Sequence, residues 1–195
     1  MFNLQRVKYI YKFISFSIFL FLNYTGTTMA YEEPKYDLIK KTDVYEIRSY
    51  EDRLAVKTLQ TSGEDRAFGR LFKYISGANQ SSSKIEMTIP VLKLDEGSGI
   101  VMYFFLPKSY SMKTTPFPNA NNVELVVVKG GHFAVIKYSG RLTNQNYKRH
   151  TTLIKNALNK DRISINGEPI QAIYNGPLTP FFLRRNEAMY RVNLK

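Results

Sequence analysis

The chain contains no cysteine, no tryptophan and only two histidines among its 195 residues. Without cysteine there are no disulfides, no thiolate ligands for haem, zinc or iron–sulfur clusters, and no thiol nucleophile. His132 and His150 are too few for a multi-histidine metal centre. Acidic residues are scarce as well: 16 Asp and Glu stand against 28 Lys and Arg, a formal net charge of +12. No Gly-x-Ser-x-Gly elbow, His-Glu-x-x-His helix, phosphate loop or dinucleotide fingerprint occurs. What is present is an ordinary globular mixture, 44% hydrophobic and 23% charged. That composition and length suit one domain and exclude wholesale disorder.

The first thirty residues read as a targeting segment. Arg6, Lys8 and Lys12 precede the apolar run Phe13–Leu22, and small and polar residues follow as far as Ala30. Ten helical residues reach about 15 Å, against a hydrocarbon core of about 30 Å. The expectation is therefore a cleaved signal peptide at 1–30 rather than a membrane anchor, followed by one domain at 31–195. The protein is expected to be exported, to the periplasm or beyond if its source is bacterial.

Residues 31–195 contain an internal echo. Leu54–Gly63 (LAVKTLQTSG) resembles Phe133–Gly140 (FAVIKYSG), and each ends in Ser-Gly before a helical pattern. The first helix is expected over Glu64–Ser76, with Ala67, Phe68, Leu71, Phe72 and Ile75 as its apolar stripe, Ser62 and Asp65 as a capping box, and Gly77 as its stop. The second is expected over Asn144–Asn159, opened by Thr143 and striped by Tyr147, His150, Leu153, Ile154, Ala157 and Leu158. Strand patterns follow each helix, at Met87–Leu94 and Ile100–Leu106, then at Pro169–Tyr174 and Ala188–Leu194. Others fall at Tyr36–Lys41, Val44–Tyr50 and Val123–Lys129. Each half is thus strand–helix–strand–strand with a leading hairpin partner. Two such halves give an α+β fold, a curved sheet or distorted barrel with two helices outside it, and a cleft between the halves suits a ligand.

Several strings resemble the SOUL haem-binding family. They are Glu33–Tyr50 (EPKYDLIKKTDVYEIRSY), Leu71–Asn79 (LFKYISGAN), Lys84–Pro90 (KIEMTIP), Asn146-Tyr147 with Arg149-His150, and Thr179–Glu187 (TPFFLRRNE). They occur in order over almost all of residues 31–195. The resemblance implies a distorted antiparallel β-barrel of two pseudo-symmetric strand–helix–strand–strand repeats with two flanking helices. It also implies a haem or tetrapyrrole ligand, with no established catalytic cycle.

Haem is a flat apolar disc with two carboxylates, so it calls for an aromatic wall beside cations. Phe68 and Phe72 lie four apart on the first helix, with Arg66 and Lys73 near the edge of its stripe. By the resemblance, Lys73 falls on the family lysine, Phe68 and Phe72 on its apolar neighbours, and Asp65 on a family arginine, leaving Arg66 to compensate. The late loop adds Phe181 and Phe182 as cover for a porphyrin face. Some family members carry an iron-ligating histidine where this chain has Ser49. The expected cofactor is accordingly a tetrapyrrole held by its plane and propionates, without an assured axial ligand. His150 is the alternative iron ligand, but reads first as a core-edge histidine bonded to a backbone carbonyl or a helix partner. His132 reads as a turn histidine.

Glu46, Glu86, Glu124 and Glu187 offer a carboxylate pair for acid–base work across the cleft, although Glu187 reads first as an ion-pair partner of Arg184 or Arg185. The Lys148-Arg149 and Arg184-Arg185 doublets are too short to indicate nucleic acid, and fit a solvated or lipid-facing surface. The expected function is an exported, non-enzymatic tetrapyrrole carrier or scavenger. The alternatives are an enzyme or binding module for another hydrophobic anion in the inter-repeat cleft, and a basic surface interaction module.

Overall fold

Period-two alternation of apolar residues governs most of the architecture. A computed structural model describes residues 31–60 and 66–194. In chain order these form β1 (Tyr36–Lys41), β2 (Glu46–Tyr50), β3 (Arg53–Gln60), α1 (Ala67–Ile75), β4 (Val91–Asp95), β5 (Ile100–Phe105), β6 (Glu124–Val128), β7 (Gly131–Tyr138), α2 (Asn144–Lys160), β8 (Ser164–Ile165), β9 (Ile170–Ile173) and β10 (Asn186–Asn193). The signal-peptide segment, Ser62 and Asp65 lie outside the described residues.

The strands join one antiparallel sheet in the order β1-β2-β7-β10-β9-β4-β5-β3-β6, with β8 attached to β10. The echo in the sequence is visible in this order. β7-β10-β9 mirrors β3-β5-β4, and β9 meets β4 at the centre, from Val91↔Ile173 to Leu94↔Ile170. The leading strands do not stay with their own halves, as the sequence reading expected. β2 immediately precedes β3 yet pairs with β7, and β6 immediately precedes β7 yet pairs with β3. The Glu51-Asp52 and Lys129-Gly130 connectors do not fold back as hairpin turns, and each carries its strand across to the other half. The expected closure into a barrel is not found: β1 and β6 are free edges, and no pairing joins them among the described residues.

Alternation also separates the two faces. Phe104 packs with Leu71, Tyr74 and Ile75 of α1. Its neighbours Tyr103 and Phe105 turn the other way, toward Phe133, Val135 and Met189. Likewise Ala134, Ile136 and Tyr138 meet Ile154 and Leu158 of α2, while Phe133 and Val135 face away. Both helices therefore cover the face opposite the one that carries Tyr103, Phe105 and Phe133. On α2, Thr143 caps the N-terminus by accepting from the Asn146 amide at 3.2 Å, as the sequence indicated. Its buried line is Thr151, Ile154 and Leu158, and Leu153 turns outward. Gly77 follows α1 with φ +115°, a conformation that favours glycine.

Candidate functional site

The α1 stripe sits rotated from its sequence reading. Ala67, Leu71, Tyr74 and Ile75 are buried, whereas Phe68 and Phe72 are 48% and 49% exposed. A nine-residue helix buries one narrow face, and Tyr74 takes the place in it that the stripe had given to Phe72. The two phenylalanines stack at 6.0 Å with 13° between their planes, and Phe68 also meets the Phe104 ring edge-on at 5.0 Å. Gly69 lies beside them on the outer face, where an added Cβ would meet only the Arg66 Cβ, at 3.7 Å. Arg66 and Lys73 are exposed on the same side of the helix. The result is a shallow aromatic shelf with cations along one margin. These residues fit a flat apolar ligand with anionic edges.

Phe181 and Phe182 form a one-turn 3-10 helix, Phe181–Leu183, before β10. Their rings pack edge to face at 5.5 Å, and the Arg141 guanidinium lies over Phe181 at 5.4 Å. The Gly140 amide donates to the Phe181 carbonyl at 2.9 Å, tying this turn to the second half. Phe182 and Leu183 are largely exposed and Leu178 fully so. No ring contact, hydrogen bond or ion pair connects this loop to α1 among the described residues, so the two aromatic patches are separate. The arginines that follow serve the fold itself. Arg184 donates to the Thr179 and Pro177 carbonyls, and Arg185 pairs with Glu187 and Glu33.

His150 is engaged as its position on α2 suggested. Its Nδ1 donates to the Asn146 carbonyl at 2.8 Å, because a carbonyl can only accept, and its ring stacks on Tyr138 at 4.1 Å. His132 belongs to β7 rather than to a turn, opposite Ser49 on β2. The tyrosines near the family motifs hold protein partners. Tyr45 donates to Asp161, Tyr74 donates to the Pro116 carbonyl at 2.9 Å, and Tyr50 accepts from Arg48 at 3.0 Å. Burial pushes the Tyr50 and Tyr74 phenols up to about 12, so neither is an anionic ligand at neutral pH.

A second site lies on the opposite face of the sheet. There a cavity of about 470 Å³ spans both halves, walled by Leu92, Phe105, Val126, Phe133, Ile170 and Met189 among others. None of the predicted haem residues lines it. Tyr50 and Tyr174 do, and behind them is a polar cluster that sequence reasoning missed. Arg48 is fully buried on β2; it donates to Glu46 at 2.7 and 2.9 Å and to Glu187, also fully buried, at 3.1 Å. Tyr174 donates to the same Glu187 oxygen at 2.8 Å, and Arg185 approaches the other at 3.3 Å. Burial pushes the Glu46 carboxyl up, but Arg48, Lys137 and Lys41 together bring it below the usual carboxylate range. Two of the four glutamates thus do converge, both on the Arg48 guanidinium, which ties β2 to β10. Glu124 is spent on Lys57 at 3.9 Å and Glu86 is exposed. The Arg48–Glu187 pair links residues 139 positions apart, and no local pattern announces it.

Among the described residues no three His, Asp or Glu side chains gather as a metal cluster, and no helix is long and apolar enough to cross a membrane. No curated protein sequence matches the chain. Among solved structures, the C-terminal domain of EcmrR superposes with a TM-score of 0.58 at 9% identity, covering 81% of this chain and 98% of that one. A hydrolase from Listeria innocua superposes at 0.56 with 9% identity, over 80% of this chain and 94% of its own. An uncharacterized conserved protein from the same organism gives 0.55 at 10% identity, over 87% and 97%. At such identities the likeness is one of fold alone. The sequence itself matches the family model described as SOUL heme-binding protein over residues 31–191, so the chain belongs to the SOUL family.

Proposed function

We propose that the protein is a non-enzymatic tetrapyrrole carrier or scavenger that works outside the cytoplasm after loss of residues 1–30. Family membership supports a haem-type ligand. The observation that carries the reading on this chain is the exposed, stacked Phe68–Phe72 pair beside Gly69, Arg66 and Lys73. Large aromatic rings left half-exposed on a soluble domain mark a contact surface. Here the neighbouring cations suit propionates, which are carboxylates. Phe68 and Phe72 would hold the porphyrin plane, Lys73 and Arg66 its acidic edge, and the Phe181–Phe182 turn is a second aromatic surface for the same ligand class. Bound haem would supply its own iron chemistry. This chain contributes apolar contact and charge.

The test is a titration of the full chain with haemin and with metal-free protoporphyrin, followed by absorption. Recognition through plane and propionates puts the two affinities within about tenfold, or about 1.4 kcal/mol. Lys73→Glu should weaken both alike, since it replaces attraction with repulsion. Haemin binding a hundredfold more tightly than protoporphyrin would mean that a protein group ligates iron, and absence of both complexes at micromolar concentration would overturn the reading. Export is checked separately, by the intact mass of the protein recovered from its host. A chain starting near Tyr31 is expected, and one starting at Met1 in the membrane fraction contradicts it.

A further inference from the structure

The cavity on the sheet face opposite the helices has a chemistry distinct from the α1 shelf. Its walls are aliphatic and aromatic, from Leu92, Phe105, Val126 and Phe133, and its volume of about 470 Å³ falls in the range of small-molecule sites. Most charges at its margin are already matched within the protein. Lys129 pairs with Asp52 at 2.8 Å, Lys57 with Glu96 at 3.5 Å, and Arg191 donates to the Gly130 and Lys129 carbonyls at 2.6 Å each. Glu51 is exposed and paired with Lys108, and Glu168 is exposed.

Arg53 is matched only in part, by Glu32 at 3.3 Å. Its guanidinium lies over the Phe105 ring at 4.5 Å, and its Nη2 reaches Glu32 and the Leu106 carbonyl. Its Nη1 is buried without any hydrogen-bond partner. A buried guanidinium nitrogen left unpaired is costly, and an anion supplied from outside removes that cost. Tyr50 stands just across the two-residue Glu51-Asp52 connector, and Tyr50 and Arg53 both line the cavity. The Tyr50 oxygen accepts from Arg48, which leaves its hydrogen for an acceptor, and burial keeps that phenol protonated.

We infer that this cavity is a second binding site, separate from the α1 shelf, for a compact aromatic monocarboxylate. The ring system packs between the two halves of the sheet, and the carboxylate accepts from the Arg53 guanidinium and the Tyr50 hydroxyl. Arg53 is preorganised by its stacking on Phe105, so little freedom is lost when the anion arrives.

Three fluorescent probes of one shape distinguish the proposal: pyrene-1-carboxylate, 1-pyrenemethanol and 1-pyrenemethylammonium, each titrated into the full chain. The carboxylate should bind at least tenfold more tightly than either other probe. This comparison needs no variant. Arg53→Met should abolish the preference and leave haemin binding unchanged. Val126→Trp, on an edge strand, should fill the cavity and weaken all three probes at least tenfold. Equal affinity for the three probes overturns the proposal. So does a preference lost through Lys73→Glu but kept in Arg53→Met, because the probes would then be reporting the α1 shelf.

Discussion

A single missing side chain shapes the outer face of α1. Gly69 sits between Phe68 and the Arg66–Lys73 margin, and a methyl group there would meet nothing closer than 3.7 Å. Glycine inside a helix costs about 0.5–1 kcal/mol relative to alanine. Gly69→Ala should therefore stabilise the protein by about that amount, raising the thermal midpoint by roughly 1–4 °C. Gly69→Leu should keep the fold but place a branched side chain on the shelf, and weaken haemin binding. Thermal melting and a haemin titration check the pair, and a leucine variant that binds as tightly as the original protein removes the shelf from the site. At this scale the sequence was only partly legible. The pairing of Phe68 and Phe72 followed from their spacing, whereas their exposure depended on Tyr74 taking the buried face. Arg48 was visible as part of a family string, but its burial against Glu187 arises only when β2 and β10 both flank β7. A buried ion pair of this kind adds little net stability over an apolar pair of equal volume, because desolvation offsets the attraction.

The elements were easier to read than their partners. Tyr36–Lys41 was expected as a strand and is one, and the strands after each helix appear within a few residues of their expected bounds. Alternation and caps are local, so they survive in a single sequence. Pairing is not local, and there the expectation of hairpin partners failed. The cause is visible where the two connectors meet. A Cβ on Gly130 would lie 2.2 Å from the Tyr50 carbonyl oxygen, and the Gly130 amide donates to Asp52 at 2.9 Å. The Glu51-Asp52 and Lys129-Gly130 connectors are packed against each other where both leading strands cross between halves. The free edge at β1 shows a different constraint. All six of its residues are exposed, its pairing with β2 shifts register between Leu38 and Lys40, and it ends in Lys40 and Lys41. Irregularity and lysines together discourage a further strand from adding there.

Over the whole molecule, tyrosine does much of what tryptophan and cysteine do elsewhere, and this sets its response to pH. Among the described residues eight tyrosines have phenols held above their ordinary value, each chiefly by burial: Tyr45, Tyr50, Tyr74, Tyr103, Tyr138, Tyr147, Tyr174 and Tyr190. Neighbouring carboxylates add to the effect, with Asp161 beside Tyr45, Glu96 beside Tyr103 and Glu187 beside Tyr174. The folded state thus keeps protons that the unfolded chain releases near pH 10. That stability is fully present below pH 10 and is lost as pH rises toward the folded values, about 12 for Tyr50 and Tyr74. Each such tyrosine removes up to about 1.4 kcal/mol per pH unit, so several acting together exceed the 5–15 kcal/mol of a typical domain within one or two units. The protein should therefore unfold cooperatively between about pH 10 and pH 12. The absence of tryptophan makes the measurement direct, because near-ultraviolet phenolate absorbance then belongs to tyrosine against no indole background. Buried phenols should ionise together, in step with loss of far-ultraviolet circular dichroism. A gradual titration of all the tyrosines centred near pH 10, with the sheet signal intact, would show that these side chains reach water in the folded protein and that the faces of the sheet are less closely packed than their burial requires.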